Sequence, residues 1–234
     1  MNSKVIPKVI HYCWFGNNPK PAAMLRYIEN WQKILPNYEI REWNETNFDI
    51  ECCPYVQEAY QERKYAFVSD YARLYALYHH GGIYLDTDVE VMKDLTPLLN
   101  EADCIFGFEE KNYIATSTMF CKPKQDFIKL YLESYHSRSF LRTDGALDMT
   151  TNVQQLTNML LELGLKQDGE QQELRHSDSE IMILPQVYLS PVDYINHKDK
   201  TNETTYTKHH FEVTWASPVM RFRKALKRFV KKLC

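Results

Sequence analysis

The segment from Tyr65 to Val91 places the tightest limit on how this chain folds. Its apolar side chains recur at helical spacing until the pair Gly81-Gly82 interrupts the pattern. A short apolar strand, Ile83 to Leu85, then runs directly into Asp86-Thr87-Asp88. A helix that leads through a glycine turn into a buried strand is typical of an open α/β sheet, and such sheets bind ligands beyond the carboxyl ends of their strands.

The two carboxylates at this strand end predict a site for a divalent cation. Magnesium and manganese prefer oxygen ligands and accept further ligands from a diphosphate. The alternative is a pair of solvated carboxylates, because D-x-D alone is common by chance. The helix, turn and strand around Asp86 and Asp88 favour the metal, and therefore an enzyme that acts on a nucleotide-linked substrate.

The helix before the glycines carries three polar residues, Ser69, Asp70 and Arg73. Ser69 can cap the start of the helix. Asp70 and Arg73 are one turn apart, and their spacing alone favours an exposed ion pair that contributes little to stability. In the alternative interpretation the pair faces the cleft, where Asp70 binds sugar or ribose hydroxyls and Arg73 contacts the donor.

Composition limits the class of protein. A chain of 234 residues with 44% hydrophobic and 25% charged residues forms one large domain, or one domain with a small annex. Its seven glycines form neither of the familiar phosphate-binding loops, so metal and side chains must hold any phosphate. Six cysteines without a C-x-x-C pair predict reduced thiols in the cytosol. We find no signal peptide or long apolar run, and expect a chain that is neither exported nor membrane-spanning.

Helical and strand patterns alternate along the chain, as in an α/β protein. Lys166 to Asp178 is polar and is interpreted as an exposed excursion. The predicted strands are Val5–Phe15, Tyr38–Trp43, Ile83–Leu85, Cys104–Phe108, Tyr113–Cys121 and Glu180–Leu184. The other predicted helices are Pro21–Leu35, Tyr55–Lys64, Asp126–Ser137 and Thr151–Leu163.

The last seventeen residues, 218–234, differ from the rest of the chain. They carry seven cations and no acid, so residues 1–217 carry a formal charge of −10 within a total of −3. Their apolar residues recur at helical spacing opposite the charges, which predicts a basic amphipathic helix on an anionic membrane surface. The alternative is a helix packed on the acidic body of the protein itself. Nucleic acid is not an expected partner, because that body is acidic.

Three segments together resemble glycosyltransferases that contain a D-x-D motif, most closely the family-32 group of bacterial capsule and lipopolysaccharide hexosyltransferases and fungal mannosyltransferases. The opening Ile6 to Gly16 resembles I-P-K-x-I-H-x-x-W-x-G, and Thr205 to Trp215 resembles the closing T-Y-x-x-H-H-x-x-x-S-W, with Thr214 in place of Ser. The central segment matches at Ser69, Asp70, Arg73, Leu77, Gly81, Gly82, Tyr84, Asp86 and Asp88.

This resemblance implies a GT-A-like, Rossmann-related α/β fold with a mixed central sheet and helices on both faces. Residues 1–217 would form the glycosyltransferase domain, with a donor half of about 1–110 and an acceptor-side half of about 111–217. The implied activity moves a hexose from a UDP- or GDP-sugar, with Mn²⁺ or Mg²⁺ as cofactor and retention of configuration. The expected acceptor is a lipid-linked, growing cell-surface glycan, which would place the enzyme in the cytoplasm at the inner face of the membrane.

The resemblance also implies roles for individual residues. Asp88 would be the principal metal ligand, and Asp86 would contact the donor and share the metal. Asp70, Arg73 and Tyr84 would position the sugar and diphosphate, and Trp215 would lie near the diphosphate. Adjacent strand residues face opposite ways, so only one of His209 and His210 can meet the metal; the family's closing motif favours His210.

Trp14 lies where the first predicted strand ends. It could be a core residue or could stack on a nucleobase, which is typically worth about 1–3 kcal/mol, and the resemblance favours the base. His11 is expected to be a paired histidine within the strand.

Two other functions remain open from the sequence. One is a magnesium-dependent phosphohydrolase of the haloacid-dehalogenase type, although that class places D-x-D near its N-terminus and has Thr or Val where this chain has Glu90. The other is a catalytically inactive, membrane-associated sugar-binding subunit.

Overall fold

The structure is a computed structural model and describes residues 5–110, 112–193, 196 and 198–212. Strands and helices alternate through its first half, as the sequence predicts. These elements are β1 (Val9–Cys13), α1 (Ala22–Ile34), β2 (Glu39–Trp43), α2 (Pro54–Gln61), α3 (Tyr65–His80), β3 (Gly82–Leu85), β4 (Val89–Val91), a 3-10 helix (Thr96–Asn100) and β5 (Cys104–Glu110).

The second half returns to the same sheet. It contains β6 (Tyr113–Ile114), β7 (Thr118–Cys121), α4 (Asp126–Glu133), α5 (Asn152–Glu162), β8 (Gln172–His176), β9 (Ser179–Leu184), α6 (Gln186–Leu189), β10 (Val192–Asp193), β11 (Lys198–Asp199) and β12 (Thr207–His209).

The central sheet is mixed. Its strand order is β2-β1-β3-β7-β5-β9-β8, with β6 paired to β5. Strands β1, β2 and β3 are parallel, and β7 is antiparallel to both β3 and β5. Strand β5 therefore runs in the same direction as β3, and the carboxyl ends of β1, β3 and β5 lie at one edge of the sheet.

Helices cover both faces of this sheet, because buried side chains of successive strand residues point alternately to the two sides. Helices α2, α3, α4 and α5 pack on one face, around residues such as Tyr55, Leu74 and Phe127. Helix α1, the 3-10 helix and α6 pack on the other, around residues such as Trp31 and Leu99. The predicted α/β class, with a mixed sheet and helices on both faces, is confirmed.

Gly81 and Gly82 join α3 to β3. Both have positive φ angles, 65° and 105°, which cost glycine little. A Cβ atom at residue 82 would lie 2.5 Å from the Val9 carbonyl oxygen, so only glycine lets β3 start this close to β1. The glycine pair thus sets the position of β3, and with it the position of Asp86 at the edge of the sheet.

Three predicted elements differ from the structure. Helix α3 begins at Tyr65, so Ser69 does not cap it; the Ser69 hydroxyl donates to the Tyr65 carbonyl within the helix, at 3.0 Å. The predicted strand Tyr113–Cys121 is two strands, β6 and β7, separated by residues 115–117. The segment Lys166–Asp178, predicted to be an exposed loop, contains edge strand β8, which pairs with β9. Side chains along β8 are alternately partly buried and exposed.

Trp215 and the predicted helix at 218–234 lie outside the described residues. Among the residues that the structure describes, no helix is both long enough and apolar enough to cross a membrane.

Candidate active site

Asp86 and Asp88 lie in a tight turn between β3 and β4, at the carboxyl edge of the sheet. The turn is held by two backbone bonds: the Asp86 N–H donates to the Ser117 carbonyl at 2.8 Å, and the Val89 N–H donates to the Asp86 carbonyl at 3.0 Å. Residue 117 immediately precedes antiparallel strand β7, which starts at this same edge. The backbone therefore fixes both carboxylates at the open end of the sheet, as predicted.

A third candidate ligand, His209, comes from the far end of the chain. Strand β12 pairs antiparallel with β4, and this register sets His209 opposite Val89. The His209 Nε2 atom lies 3.3 Å from Asp88 Oδ1. One potential ligand atom from each of Asp86, Asp88 and His209 falls within 4.8 Å of the other two, which is close enough for all three to bind one ion.

The choice of His210 as the metal-binding histidine is wrong in this geometry. His210 follows the last residue of β12, so its side chain leaves on the opposite side from His209. Its Nε2 atom lies 2.9 Å from Glu90 Oε2, and its ring stacks on Tyr27 with the ring centroids 5.0 Å apart. His210 therefore contacts α1 through Tyr27, and His209 is the histidine at the candidate metal site.

Electrostatics tie His209 to the carboxylates. Burial alone would lower the pKa of His209, but Asp88, with help from Glu109 and Asp86, raises that pKa to about 10. Burial opposes ionisation of Asp88, yet His209 and the Glu212 N–H, which donates to Asp88 Oδ2 at 2.6 Å, lower its pKa overall. A protonated His209 thus supplies the positive charge that the two carboxylates need when no cation is bound.

Asp70 and Arg73 are buried, with 8% and 5% of their surfaces exposed, so the expectation of a surface ion pair is wrong. Arg73 Nη2 lies 3.0 Å from Asp70 Oδ1 and 3.3 Å from Asp86 Oδ1. Arg73 also donates from Nη1 to the Thr116 carbonyl at 2.8 Å. Spacing could not reveal this burial, because it depends on β7 and α5 closing over the helix.

Arg73 links the helix to the D-x-D turn. Its guanidinium lies 4.4 Å from the centre of the Tyr84 ring, and the Tyr84 hydroxyl donates to Asp86 Oδ1 at 2.9 Å. Burial lowers the pKa of Arg73, but Asp86, Tyr84 and Asp70 raise it overall, so this arginine stays charged. Burial raises the pKa of Asp70 to about 6, although Arg73 opposes the shift. Four of the predicted site residues therefore form one connected network.

The region around the D-x-D turn is similar to known glycosyltransferases. Residues 21–105, which contain α3, β3 and the D-x-D turn, match the family described as "Glycosyltransferase sugar-binding region containing DXD motif". The match covers this part of the chain and supports a glycosyltransferase sugar-binding region there.

Other glycosyltransferases are similar over longer stretches. The "Uncharacterized glycosyltransferase L373" of Acanthamoeba polyphaga mimivirus is 26% identical over 91% of this chain and 84% of its own length. "Inositol phosphoceramide mannosyltransferase 1" of Schizosaccharomyces pombe is 29% identical over 53% of this chain. The chain spans only 40% of that yeast relative.

The fold agrees with this assignment. The solved structure "PaToxG Glycosyltransferase" superposes with a TM-score of 0.53 over 68% of this chain and 72% of that one, at 17% identity. At this identity the likeness shows the fold, which is GT-A-like as the sequence resemblance implied. The matched sugar-binding region and the relatives together support a glycosyltransferase function.

The donor set at the D-x-D turn suits a divalent metal. Two carboxylates and one imidazole are ligands that manganese accepts, whereas magnesium prefers oxygen alone. The His209 Nδ1 atom is buried and has no hydrogen-bond partner among the described residues, while Nε2 faces Asp88. The three residues therefore fit the metal that glycosyltransferases with a D-x-D motif imply.

Trp14 and His11 lie on β1 and just beyond it. Trp14 follows the strand at the same carboxyl edge, is partly exposed, and donates from Nε1 to the Asn18 carbonyl at 2.7 Å. No described contact joins Trp14 to the Arg73 network. His11 is a structural residue as expected: its Nδ1 accepts from Trp43 at 3.1 Å, its Nε2 faces the Gly81 carbonyl at 2.8 Å, and burial lowers its pKa to about 4.

Two residues at the site were missed in the sequence. Asn152 opens α5, and its Nδ2 donates to Asp70 Oδ1 at 2.6 Å. Glu109 is the penultimate residue of β5, and its Oε1 atom lies 3.7 Å from His209 Nδ1. The Thr151 cap before an apolar helix is a usable signal for the position of Asn152. Glu109 has no comparable local signal, because it meets His209 only through the sheet.

Proposed function

We propose that this protein is a metal-dependent hexosyltransferase that moves a hexose from a UDP- or GDP-sugar to a growing cell-surface glycan. The convergence of Asp86, Asp88 and His209 within 4.8 Å, at the sheet edge where such folds bind nucleotides, is the observation that carries the proposal. The neighbouring Arg73 supports it, because a buried cation beside the site suits an anionic diphosphate.

In this proposal Asp86, Asp88 and His209 hold Mn²⁺ or Mg²⁺. The ion would supply charge neutralisation for the departing nucleoside diphosphate. Manganese is favoured over magnesium, because the set includes an imidazole nitrogen. Asp88 is the principal ligand, since its carboxylate lies between His209 and the Glu212 N–H.

The other residues bind and orient the donor. Arg73, which pairs with Asp70, would contact the diphosphate or the sugar, and Asp70 would accept hydrogen bonds from sugar hydroxyls. Tyr84 holds Asp86 through its hydroxyl and stacks on Arg73, so it positions both groups. Trp14 stacks on the nucleobase at the end of β1. Trp215, outside the described residues, would lie near the diphosphate.

The reaction is proposed to retain anomeric configuration. We assign no carboxylate among the described residues as a covalent nucleophile. We therefore favour attack of the acceptor on the face that the diphosphate leaves, with the leaving phosphate taking the acceptor's proton. The buried guanidinium of Arg73 would then stabilise the negative charge of the departing diphosphate.

The acceptor is proposed to be lipid-linked and bound by the half of the domain from about 111 to 217. Two relatives are named inositol phosphoceramide mannosyltransferases, so a lipid acceptor and mannose have precedent among similar proteins. The cationic segment 218–234 would hold the enzyme at the cytoplasmic face of an anionic membrane. Deletion of residues 221–234 should release the protein from anionic vesicles and preserve donor binding; loss of donor binding would mean that the segment belongs to the core.

The donor can be identified by thermal shift. Full-length protein is heated with Mn²⁺ and with UDP-glucose, UDP-galactose, UDP-GlcNAc, UDP-GalNAc or GDP-mannose. A donor at 100 times its dissociation constant should add about 2.7 kcal/mol to the free energy of unfolding. The shift should need Mn²⁺ and should disappear in Asp88→Ala. A panel in which no nucleotide sugar raises the melting temperature would overturn the proposed donor class. Donor binding without turnover on any acceptor would instead indicate an inactive sugar-binding subunit.

A further inference from the structure

Glu109 lies at the carboxyl end of β5, on the same sheet edge as the D-x-D turn. The ladder between β5 and β6 is irregular there: Phe108 pairs with Ile114 and Glu110 pairs with Tyr113, so Glu109 is the extra residue of a β-bulge. Bulges redirect a side chain and are common beside active sites. The Glu109 carbonyl accepts a hydrogen bond from the Gln186 side chain, which fixes the bulge against α6.

The bulge directs the Glu109 carboxylate at His209. Glu109 Oε1 lies 3.7 Å from His209 Nδ1, and the carboxylate keeps only 17% of its side-chain surface exposed. The His209 Nδ1 atom is buried and has no hydrogen-bond partner within the described part of the chain. The opposite ring nitrogen, Nε2, faces Asp88 Oδ1 at 3.3 Å. One imidazole thus stands between two carboxylates, one on each nitrogen.

We propose that Glu109 is a positioning residue for the metal site and accepts the Nδ1–H of His209. This inference rests on the metal site of the proposed function. A histidine binds a metal through a nitrogen that carries no proton, so its proton must stay on the other nitrogen. A carboxylate on Nδ1–H holds that tautomer, fixes the ring plane and strengthens Nε2 as a ligand. The Nδ1···Oε1 distance would have to shorten by about 0.5 Å to complete this hydrogen bond.

Glu110 provides the matched control. It is the next residue on the same strand, carries the same charge and pairs with Tyr113. Its electrostatic neighbours are Glu109, Asp193 and Lys200, and they do not include His209. Removal of either glutamate changes the net charge of the region equally. A difference between the two variants therefore reports the contact with His209 rather than the loss of one negative charge.

The test measures Mn²⁺ binding to the full chain by titration calorimetry at neutral pH, without substrate. We expect Glu109→Ala to weaken Mn²⁺ binding by about 10–100-fold, and Glu110→Ala to leave it within about twofold. Glu109→Gln should restore part of the loss, because its amide oxygen still accepts from Nδ1–H. Circular dichroism confirms that each variant is folded.

Each other result is decisive. Equal affinity in wild type, Glu109→Ala and Glu110→Ala would overturn the inference while leaving the metal site intact. Unchanged affinity with lost sugar transfer in Glu109→Ala would overturn it in favour of a direct contact with substrate. A wild type that binds no Mn²⁺ would overturn the metal site and this inference together. If Glu109→Ala does not fold, Glu109→Gln must bind Mn²⁺ about threefold or more weakly than Glu110→Gln, and equal affinity contradicts the inference.

Discussion

Single residues at the site differ in role even where they are neighbours in sequence. His209 faces Asp88, whereas His210 pairs with Glu90 and stacks on Tyr27. The difference follows from one strand: β12 pairs with β4 in a register that turns residue 209 toward the D-x-D turn. Substitution of His209 therefore tests the candidate metal site, and the same substitution at His210 is its control.

We predict that His209→Ala loses Mn²⁺ affinity by at least about tenfold, because one of three ligands is removed. His210→Ala should keep the affinity of the wild type, since its ring only links Glu90 to Tyr27. Equilibrium titration with Mn²⁺ measures both. Loss of binding in His210→Ala with normal binding in His209→Ala would restore His210 as the ligand and refute the register described here.

Asp70 should make stability depend on pH. Burial raises its pKa from 3.8 to about 6, so between these values the folded protein keeps a proton that the unfolded chain has released. The free energy of unfolding therefore falls as pH rises through this range, and Asp70→Asn removes that fall. As pH rises from 4 to 7, the free energy of unfolding of Asp70→Asn should increase relative to that of wild type by up to about 3 kcal/mol. Urea denaturation across this range measures it, and parallel stability curves would contradict it.

At the scale of elements, the join between α3 and β3 sets the position of the whole site. Gly82 lets β3 pair with β1 immediately after the helix, and the strand is then only four residues long before Asp86. Any displacement at residue 82 is passed along this short strand to the carboxylates. The glycine is therefore a determinant of both stability and site geometry.

We predict that Gly82→Ala destabilises the protein by about 1–3 kcal/mol more than Gly164→Ala. Both glycines have positive φ, 105° and 95°, so both alanines meet similar backbone strain. Only at residue 82 would the new Cβ meet backbone, 2.5 Å from the Val9 carbonyl; at Gly164 nothing lies within 4 Å. Thermal or urea unfolding compares the two. Equal losses of stability would show that strain alone, rather than the close approach of β1, requires glycine here.

Local patterns in the sequence predict much of this region, and distant pairings account for the rest. The apolar period of α3, the glycine pair and the apolar run of β3 are each encoded within a few residues, and they led to Asp86 and Asp88. The placement of His209 depends on a strand pair that joins residues 89 and 209, which no short pattern contains. Burial of Arg73 likewise depends on Thr116, and that of Asp70 on Asn152. Edge strand β8 was missed because its polar sequence alternates only weakly.

At the scale of the whole molecule, the candidate site residues lie along one edge of the sheet. The carboxyl ends of β1, β3 and β5 bring Trp14, the D-x-D turn and Glu109 to the same side, and β12 adds His209 from near the end of the described chain. Residues 1–217 carry a formal charge of −10, so a bound cation would favour the approach of a diphosphate to this edge. We therefore expect sugar transfer by this protein to need that cation.

The most direct test measures release of nucleoside diphosphate from the five nucleotide sugars, with Mn²⁺, with EDTA, and with Mn²⁺ restored after EDTA. We predict turnover of at least one donor with Mn²⁺, loss of that turnover in EDTA, and recovery when Mn²⁺ returns. Asp88→Ala should be folded and inactive under all three conditions. Equal turnover in EDTA, a fully active Asp88→Ala, or hydrolysis of p-nitrophenyl phosphate without turnover of any nucleotide sugar would contradict the account.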